Sequence, residues 1–448
     1  MENKKFIDEI QHLGRKLQED IEASKENRTT TQNPQTLFKK FKDSIIPIAK
    51  KASKIAASKK NHEIKILQKD LTQTLNEPNA DPEEKLITSA IIQEKIDSIE
   101  TQRHLNACAQ TAVRNRLEGE TISKYWSQIN KTRAPRDTIL SLKIPNTNPP
   151  AYEKNSTKMA EIARNYHDQL QLQGLATEPD QARATEKALN TITEKTPQAD
   201  KIILKTLLTE EEVLRALSAS PSGKAAGMDG IPYKLWKALH NKFLNKEHYP
   251  TNKKPVNIIK VLTAVYNDIE INGVDENSKF SFGWMCPIYK KKDTREISNY
   301  RPITILNTDY KTFTKALNSK LSKIATKVLH EDQAGFLSGR SIHDQIKLSK
   351  LIIDYAEATE ENGAIIALDQ EKAYDKISHD YLWKVLKKFQ LPNHFIRIIQ
   401  SIYKTAETVI IINGEISSSY KVTRGVRQGD PLSCILFDLA IEPLAAML

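Results

Sequence analysis

The chain has 448 residues, enough for more than one structural unit, and 67 Lys and Arg against 56 Asp and Glu give a net charge of +11. A basic excess of that size favours an anionic partner, nucleic acid first, although many basic proteins carry charge only for solubility. Three scattered cysteines (Cys108, Cys286, Cys434) support neither a disulfide framework nor a zinc site, and no apolar run is long enough to span a membrane.

The opening MENKKFIDEI lacks the apolar core of a signal peptide, so an intracellular location with no disulfide partner and no membrane is expected. Only Gly14, Gly119 and Gly174 precede residue 206, so the first part should be mostly helical and the rest should hold the tight turns and strands. Residues 31–70 carry 10 Lys and no Arg against 3 acids. That run reads either as a solvated helix face or as a phosphate-contacting arm through Lys39, Lys40 and Lys42. KKASKIAASKK within it is a weak nuclear address, and the nucleus is the expected compartment. From 80 to 130 apolar residues recur at helical spacing, as in Leu86, Ile87, Ile91 and Ile92. A Pro/Asn-rich break follows at 144–155. Met159, Ile162, Ala163, Tyr166 and Leu170 then form another helical stripe, and 175–200 reads as a linker or a loosely held helix.

Thr209 and Glu212 make a capping box that opens a helix. The loop SPSGKAAGMDGIP (220–232) is either a turn between helices or a backbone surface for phosphate. WMCPIYKKKDTREISNYRPITILN (284–307) gives two strand-like pieces around a basic turn. Its lysines Lys290 and Lys291 read as a solvated tip, whereas Arg301, held between Tyr300 and Pro302, is better placed to grip phosphate oxygens.

Residues 364–368, Ala-Ile-Ile-Ala-Leu, have the unbroken apolar character of a strand buried on both faces, ending on Asp369. A buried carboxylate needs a cation, which either Lys372 or a metal ion can supply. Ser378 reads as the N-cap of a helix burying Leu382, Val385, Leu386 and Phe389, and Asn413-Gly414 as a hairpin turn. Gly425 and Gly429 mark a tight loop bearing Arg424, Arg427 and Gln428, with Asp430 as the expected N-cap and Pro431 at the first helical position.

In order, SGKAAGMDGIPYKLWK, GWMCPIYKKKDTREISNYRPITILNTDYK, QAGFLSGRSIHDQI, ALDQEKAYDKISHDYLW and RGVRQGDPLSCILF resemble the motifs of reverse transcriptases of non-LTR (LINE-like) retrotransposons, across about 222–437. YWSQINKTRAPRDTILSLKIPN is similar, more loosely, to the linking region that precedes such polymerases. The resemblance implies an α+β fold: a helical N-terminal region, then right-hand polymerase fingers and a partial palm. It sets the expected boundaries at 1–174 for a basic linking region, 175–205 for a linker and 206–448 for the polymerase domain. It implies template-directed nucleotidyl transfer with an RNA template, a DNA primer, dNTP and Mg2+. Asp369 would bind the metal with the Gln370 carbonyl, Tyr374 would lie under the sugar, and Arg301, Lys290 and Lys291 would hold the triphosphate. Gln428 and Gly429 would lie against nucleotide and template, Arg424 and Arg427 against nucleic acid, and Lys372 and Asp375 would serve as scaffold.

The chain departs from the family in one respect: no Asp-Asp pair occurs in its 448 residues, and the sequence stops inside the helix after the glycine loop. The expectation is therefore a fragment that does not polymerise alone. Two other readings stand beside it: a non-catalytic nucleic-acid-binding protein using 31–70 and the finger lysines, and an unrelated metal-dependent phosphotransferase.

Overall fold

A computed structural model of the chain describes residues 4–24, 26–56, 59–76, 87–99, 101, 138–250, 254–360 and 362–447. They fall into two compact units: Met1–Ile46 with Thr138–Leu448, and Pro47–Asp137. The fold mixes helices with small sheets, as the glycine distribution foretold. Among the described residues no helix is long and apolar enough to cross a membrane.

Helices α1 (Lys4–Ser24), α2 (Pro34–Ala56) and α3 (Lys59–Asn76) come first, so the lysine-rich stretch is helical. Residues 87–99 form α4, which carries Ile87, Ile91 and Ile92 as the spacing predicts; Leu86 and residues 102–137, where the stripe and most of the looser motif were placed, lie outside the described residues.

In the larger unit, a two-stranded ribbon of β1 (Leu142–Lys143) and β2 (Tyr152–Glu153) leads into α5 (Ser156–Leu170). Then come α6 (Glu178–Asn190), α7 (Gln198–Lys205), α8 (Glu210–Ser218), α9 (Tyr233–Leu244) and α10 (Ile258–Asn272). The stretch read as linker thus holds two helices, the first with no buried residue because its sequence has no apolar stripe. The capping box of α8 forms with both of its reciprocal hydrogen bonds. Strands β3 (Phe282–Tyr289) and β4 (Tyr300–Leu306) pair antiparallel from Gly283↔Leu306 to Tyr289↔Tyr300, with the lysine turn between them. After α11 (Thr308–Val328) and α12 (Ile342–Ala358) come the short α13 (Ala373–Lys376), α14 (His379–Lys388) and α15 (Asn393–Lys404). Strand β5 (Glu407–Ile412) pairs parallel with β3, and turns at Asn413-Gly414 into β6 (Glu415–Ile416), both turn residues having positive φ. Strand β7 (Tyr420–Lys421) pairs with β5, and α16 (Ser433–Ala445) follows.

Two cores hold this unit. In one, Phe38, Trp236, Tyr266, Phe313, Leu386, Phe395 and Leu439 pack the helices together, with Ile10 and Ile21 of α1 inside the same cluster. In the other, α5 lays Met159, Ala160 and Ala163 on Met285, Ile410 and Ile412 of the sheet. Buried residues between Ile7 and Ile45 and between Ile139 and Ala163 therefore share cores with the region after 206.

Two expectations fail locally. Residues 362–370 form no strand and are exposed, with Ile365 at 76% and Ile366 at 81%. A two-faced apolar strand needs a neighbour on each edge, and among the described residues no strand pairs with this one. Helix α12 just before it buries no residue either. Helix α16 starts at Ser433, later than Pro431, because the buried Asp430 carboxylate accepts the Leu432 N–H at 3.0 Å and the Tyr310 hydroxyl at 2.6 Å, holding a turn there.

Candidate functional site

The site is assembled by the loop from Gly425 to Gly429. Gly425 has φ +84, and a Cβ there would stand 2.7 Å from the Tyr374 carbonyl; its N–H donates to the Ile377 carbonyl at 2.7 Å, and the Val426 N–H donates to Tyr374 at 2.8 Å. At the loop's other end Gly429 has φ +118, and a Cβ would overlap the Thr304 carbonyl. The Thr304 N–H donates to the Gln428 carbonyl at 2.7 Å. Only glycine satisfies both the left-handed backbone and the close approach. The loop thereby joins the turn 373–377 to strand β4.

Around this junction His167, Pro302, Thr304, Asp375, Arg424 and Gln428 line a small cavity of about 50 Å³. Burial raises the Asp375 carboxyl to about 6, although the ammonium groups of Lys372 and Lys290 pull the other way. Glu371 is lowered, mainly by its hydrogen bond from Lys376, with the charges of Lys376, Lys372 and Lys292 adding to it. The basic turn after β3 thus acts on the segment 371–375. His167 is driven down to about 4 by burial and by the Lys372 charge, so it is neutral at pH 7. The Tyr374 ring stacks on Phe437, centroids 4.8 Å apart and 9° from parallel, and burial together with Cys434 raises its hydroxyl pKa.

Tyr374, Gln428 and Gly429 are brought to this junction, and Lys290 reaches it only through its charge on Asp375. Arg301 is on β4 but exposed, and strand alternation turns it from the face of Pro302 and Thr304. Arg301, Lys290 and Lys291 pair with no carboxylate among the described residues, unlike Arg295, which holds Asp293 at 2.9 Å. Asp369 and Gln370 lie on the exposed segment, so the cation expected for a buried Asp369 is not required, and Lys372 turns instead to Tyr166.

Three basic residues expected at nucleic acid bond the protein itself. Lys42 is buried between Asp309 at 2.7 Å and Asp229 at 3.1 Å. Arg427 is buried and donates to the carbonyls of Ser281 and Glu407. Arg424 donates to the carbonyls of Lys376 and Gln173 at 2.8 and 2.7 Å. Guanidinium and ammonium donors spent on protein oxygens leave little for phosphate. Lys39 pairs with Asp43 at the surface, and Lys40 is exposed. The loop 220–232 is tied down in the same way: Gly227 packs on Asn307, and Asp229 faces Lys42.

Among the described residues no three His, Cys, Asp or Glu side chains gather as a metal cage. Mg2+ is commonly held by one or two carboxylates plus substrate phosphates, and an exposed Asp369 with no ion pair among the described residues suits that substrate-borne mode, not a preformed centre.

Sequence reasoning missed Tyr166 and Gln171, which grip both halves of the junction from α5. Tyr166 fell within an ordinary helical stripe, and nothing in its spacing separates a packing tyrosine from one that receives a lysine.

Residues 289–448 match the reverse transcriptase (RNA-dependent DNA polymerase) family. Over 245 residues, 55% of this chain, it is 32% identical to the transposon TX1 uncharacterized 149 kDa protein of Xenopus laevis, covering 18% of that protein. It is 28% identical over 35% of its length to the retrovirus-related Pol polyprotein from type-2 retrotransposable element R2DM of Drosophila melanogaster, covering 15% of that protein. A third relative, the probable RNA-directed DNA polymerase from transposon BS of the same fly, is 25% identical over 51% of the chain and covered to 24%. The chain thus spans a quarter or less of the length of each of these relatives.

Proposed function

From a chain whose residues 289–448 belong to the reverse transcriptase family, we propose that 206–448 form the fingers and part of the palm of an RNA-directed DNA polymerase of a non-LTR retrotransposon, working in the nucleus. The observation that carries this reading is the glycine loop, which holds Gln428 and Gly429 between β4 and the Tyr374 turn with no room for a side chain at either glycine. In the proposed site, Gln428 and Gly429 offer a flat polar surface to the base and the template. Tyr374, fixed by Phe437, stands where a sugar would pass. The cations of Lys290, Lys291 and Arg301 bind the triphosphate, and Lys39 and Lys40 contact nucleic acid. Asp369 and the Gln370 carbonyl would hold Mg2+, which neutralises charge on the phosphates during transfer. The partners are an RNA template, a DNA primer and dNTP.

Titration of a fluorescent dNTP into the chain bound to an RNA–DNA template-primer tests this. Binding is expected to strengthen with Mg2+ and to weaken about tenfold or more in Asp369→Ala and in Arg301→Ala, the loss of one charge-assisted contact each. A dNTP affinity indifferent to Mg2+ and to both substitutions would overturn the reading and leave nucleic-acid binding alone.

A further inference from the structure

The C-terminal end of α5 reaches both loops of the site at once. The Lys372 ammonium donates to the Tyr166 hydroxyl and stands 4.9 Å from the centroid of its ring. Lys372 has φ 50 and ψ 46, a left-handed conformation uncommon for a residue with a long side chain. Its carbonyl accepts the N–H groups of Asp375 at 2.9 Å and Lys376 at 3.2 Å. Anchoring the Lys372 side chain therefore anchors the turn between Gln370 and Tyr374. Just past the helix, Gln171 Oε1 accepts from the N–H of Thr423 at 2.6 Å and of Arg424 at 3.2 Å, while its Nε2 donates to the Lys421 carbonyl at 3.0 Å. That fixes the strand leading into Gly425. Arg424 closes the triangle, donating to Lys376 in the turn and to Gln173 beyond the helix.

We propose that Tyr166 and Gln171 are positioning residues of the nucleotide site, through which α5 sets the spacing between the turn carrying Tyr374 and the loop carrying Gln428. The inference rests on the reading given under the proposed function. It goes beyond that reading by assigning a role in nucleotide binding to a helix that ends well before the matched family region begins. Neither residue touches the substrate in this scheme. Each acts through Lys372 or through the backbone of Thr423 and Arg424.

Tyr166→Leu and Tyr166→Phe in the full chain test it by two readouts, amide hydrogen exchange and dNTP affinity on an RNA–DNA template-primer. In Tyr166→Leu the amides of Asp375 and Lys376 are expected to exchange at least tenfold faster while those of β3 and β4 keep their rates. The dNTP Kd is expected to rise about tenfold with template-primer affinity unchanged. Tyr166→Phe keeps the ring and loses the hydroxyl, so an intermediate rise of about threefold is expected. Should Tyr166→Leu loosen the sheet as well, the phenylalanine variant decides. Unchanged exchange at 375 and 376 overturns the clamp, and faster exchange with unchanged dNTP affinity overturns its role in binding. A wild-type chain that binds no dNTP sinks the nucleotide reading instead, a result the exchange rates tell apart.

Discussion

Lys42→Met should unfold the protein more easily and leave the proposed nucleic-acid contacts untouched. The ammonium lies 2.7 Å from Asp309 and 3.1 Å from Asp229, and both carboxylates are almost wholly buried. Burial pulls its pKa down, but the two carboxylates outweigh that and raise it. A base whose pKa rises on folding stabilises the fold fully below its unfolded value of about 10.4, and the effect fades only as alkali removes the proton. Taking one partner from a buried ion cluster costs about 3–5 kcal/mol, because the remaining charges stay buried and here also repel one another. With a urea dependence of about 3 kcal/mol per molar, the unfolding midpoint should fall by roughly 1–1.7 M. Tryptophan fluorescence suits the assay, since Trp236 is buried and its ring lies 5.9 Å from that of Phe38 one turn away from Lys42. Adding Asp229→Asn and Asp309→Asn should restore most of the loss. If Lys42 were a phosphate contact, its removal would instead lower the slope of log K against log salt by roughly 0.7–0.9. A stability loss below about 1 kcal/mol accompanied by that change of slope would refute the buried-cluster argument.

Gly429→Ala should cost about 2–4 kcal/mol in thermal or urea unfolding, from a left-handed backbone penalty of about 1–2 and the strained Thr304-to-Gln428 hydrogen bond; a loss under about 1 would show that the loop has slack. Asp375 has a pKa of about 6 in the fold against about 3.9 unfolded, so its ionised form opposes folding above pH 6 and the penalty is relieved as pH falls from 6 towards 4. Asp375→Asn should therefore be more stable than the wild type at pH 8, by up to about 3 kcal/mol, with the advantage gone near pH 4; a pH-independent difference counts against it. Ile366→Lys should leave stability within about 0.5 kcal/mol, since the residue is 81% exposed, whereas a buried strand would lose several times that.

Much of the fold was legible because it is written locally. The Thr209–Glu212 box, the Ser378 cap and the Asn413-Gly414 turn each need only a few neighbouring residues, and all three form. The two glycines of the loop were readable as a tight approach, though not what they approach. Buried cations were illegible. Lys39, Lys40 and Lys42 are indistinguishable in sequence, yet Lys42 alone of the three meets two carboxylates from far along the chain. Arg424 and Arg427 looked like anion ligands because a guanidinium near a glycine loop serves phosphate and backbone carbonyls equally well. The run 364–368 failed for a related reason: an apolar strand signal states what the segment would pair with, not whether a partner strand is beside it.

The matched family region and the folding unit do not coincide. The match begins at Tyr289, the last residue of β3, yet β3 lies between β4 and β5 and is the strand that both of them pair with. A chain cut to 289–448 would leave β4 and β5 with no common neighbour. It would also lose Ile139, Leu142, Met159 and Met285 from the second core, each fully or almost fully buried. At about 1.5–3 kcal/mol per buried side chain the four contribute roughly 6–12 kcal/mol, comparable with the whole stability of a typical domain, about 5–15 kcal/mol. Residues 289–448 expressed alone should therefore show no cooperative unfolding transition and no near-ultraviolet circular dichroism, both of which are expected of the full chain. A sharp transition from the shorter piece would mean that the sheet closes without β3 and α5.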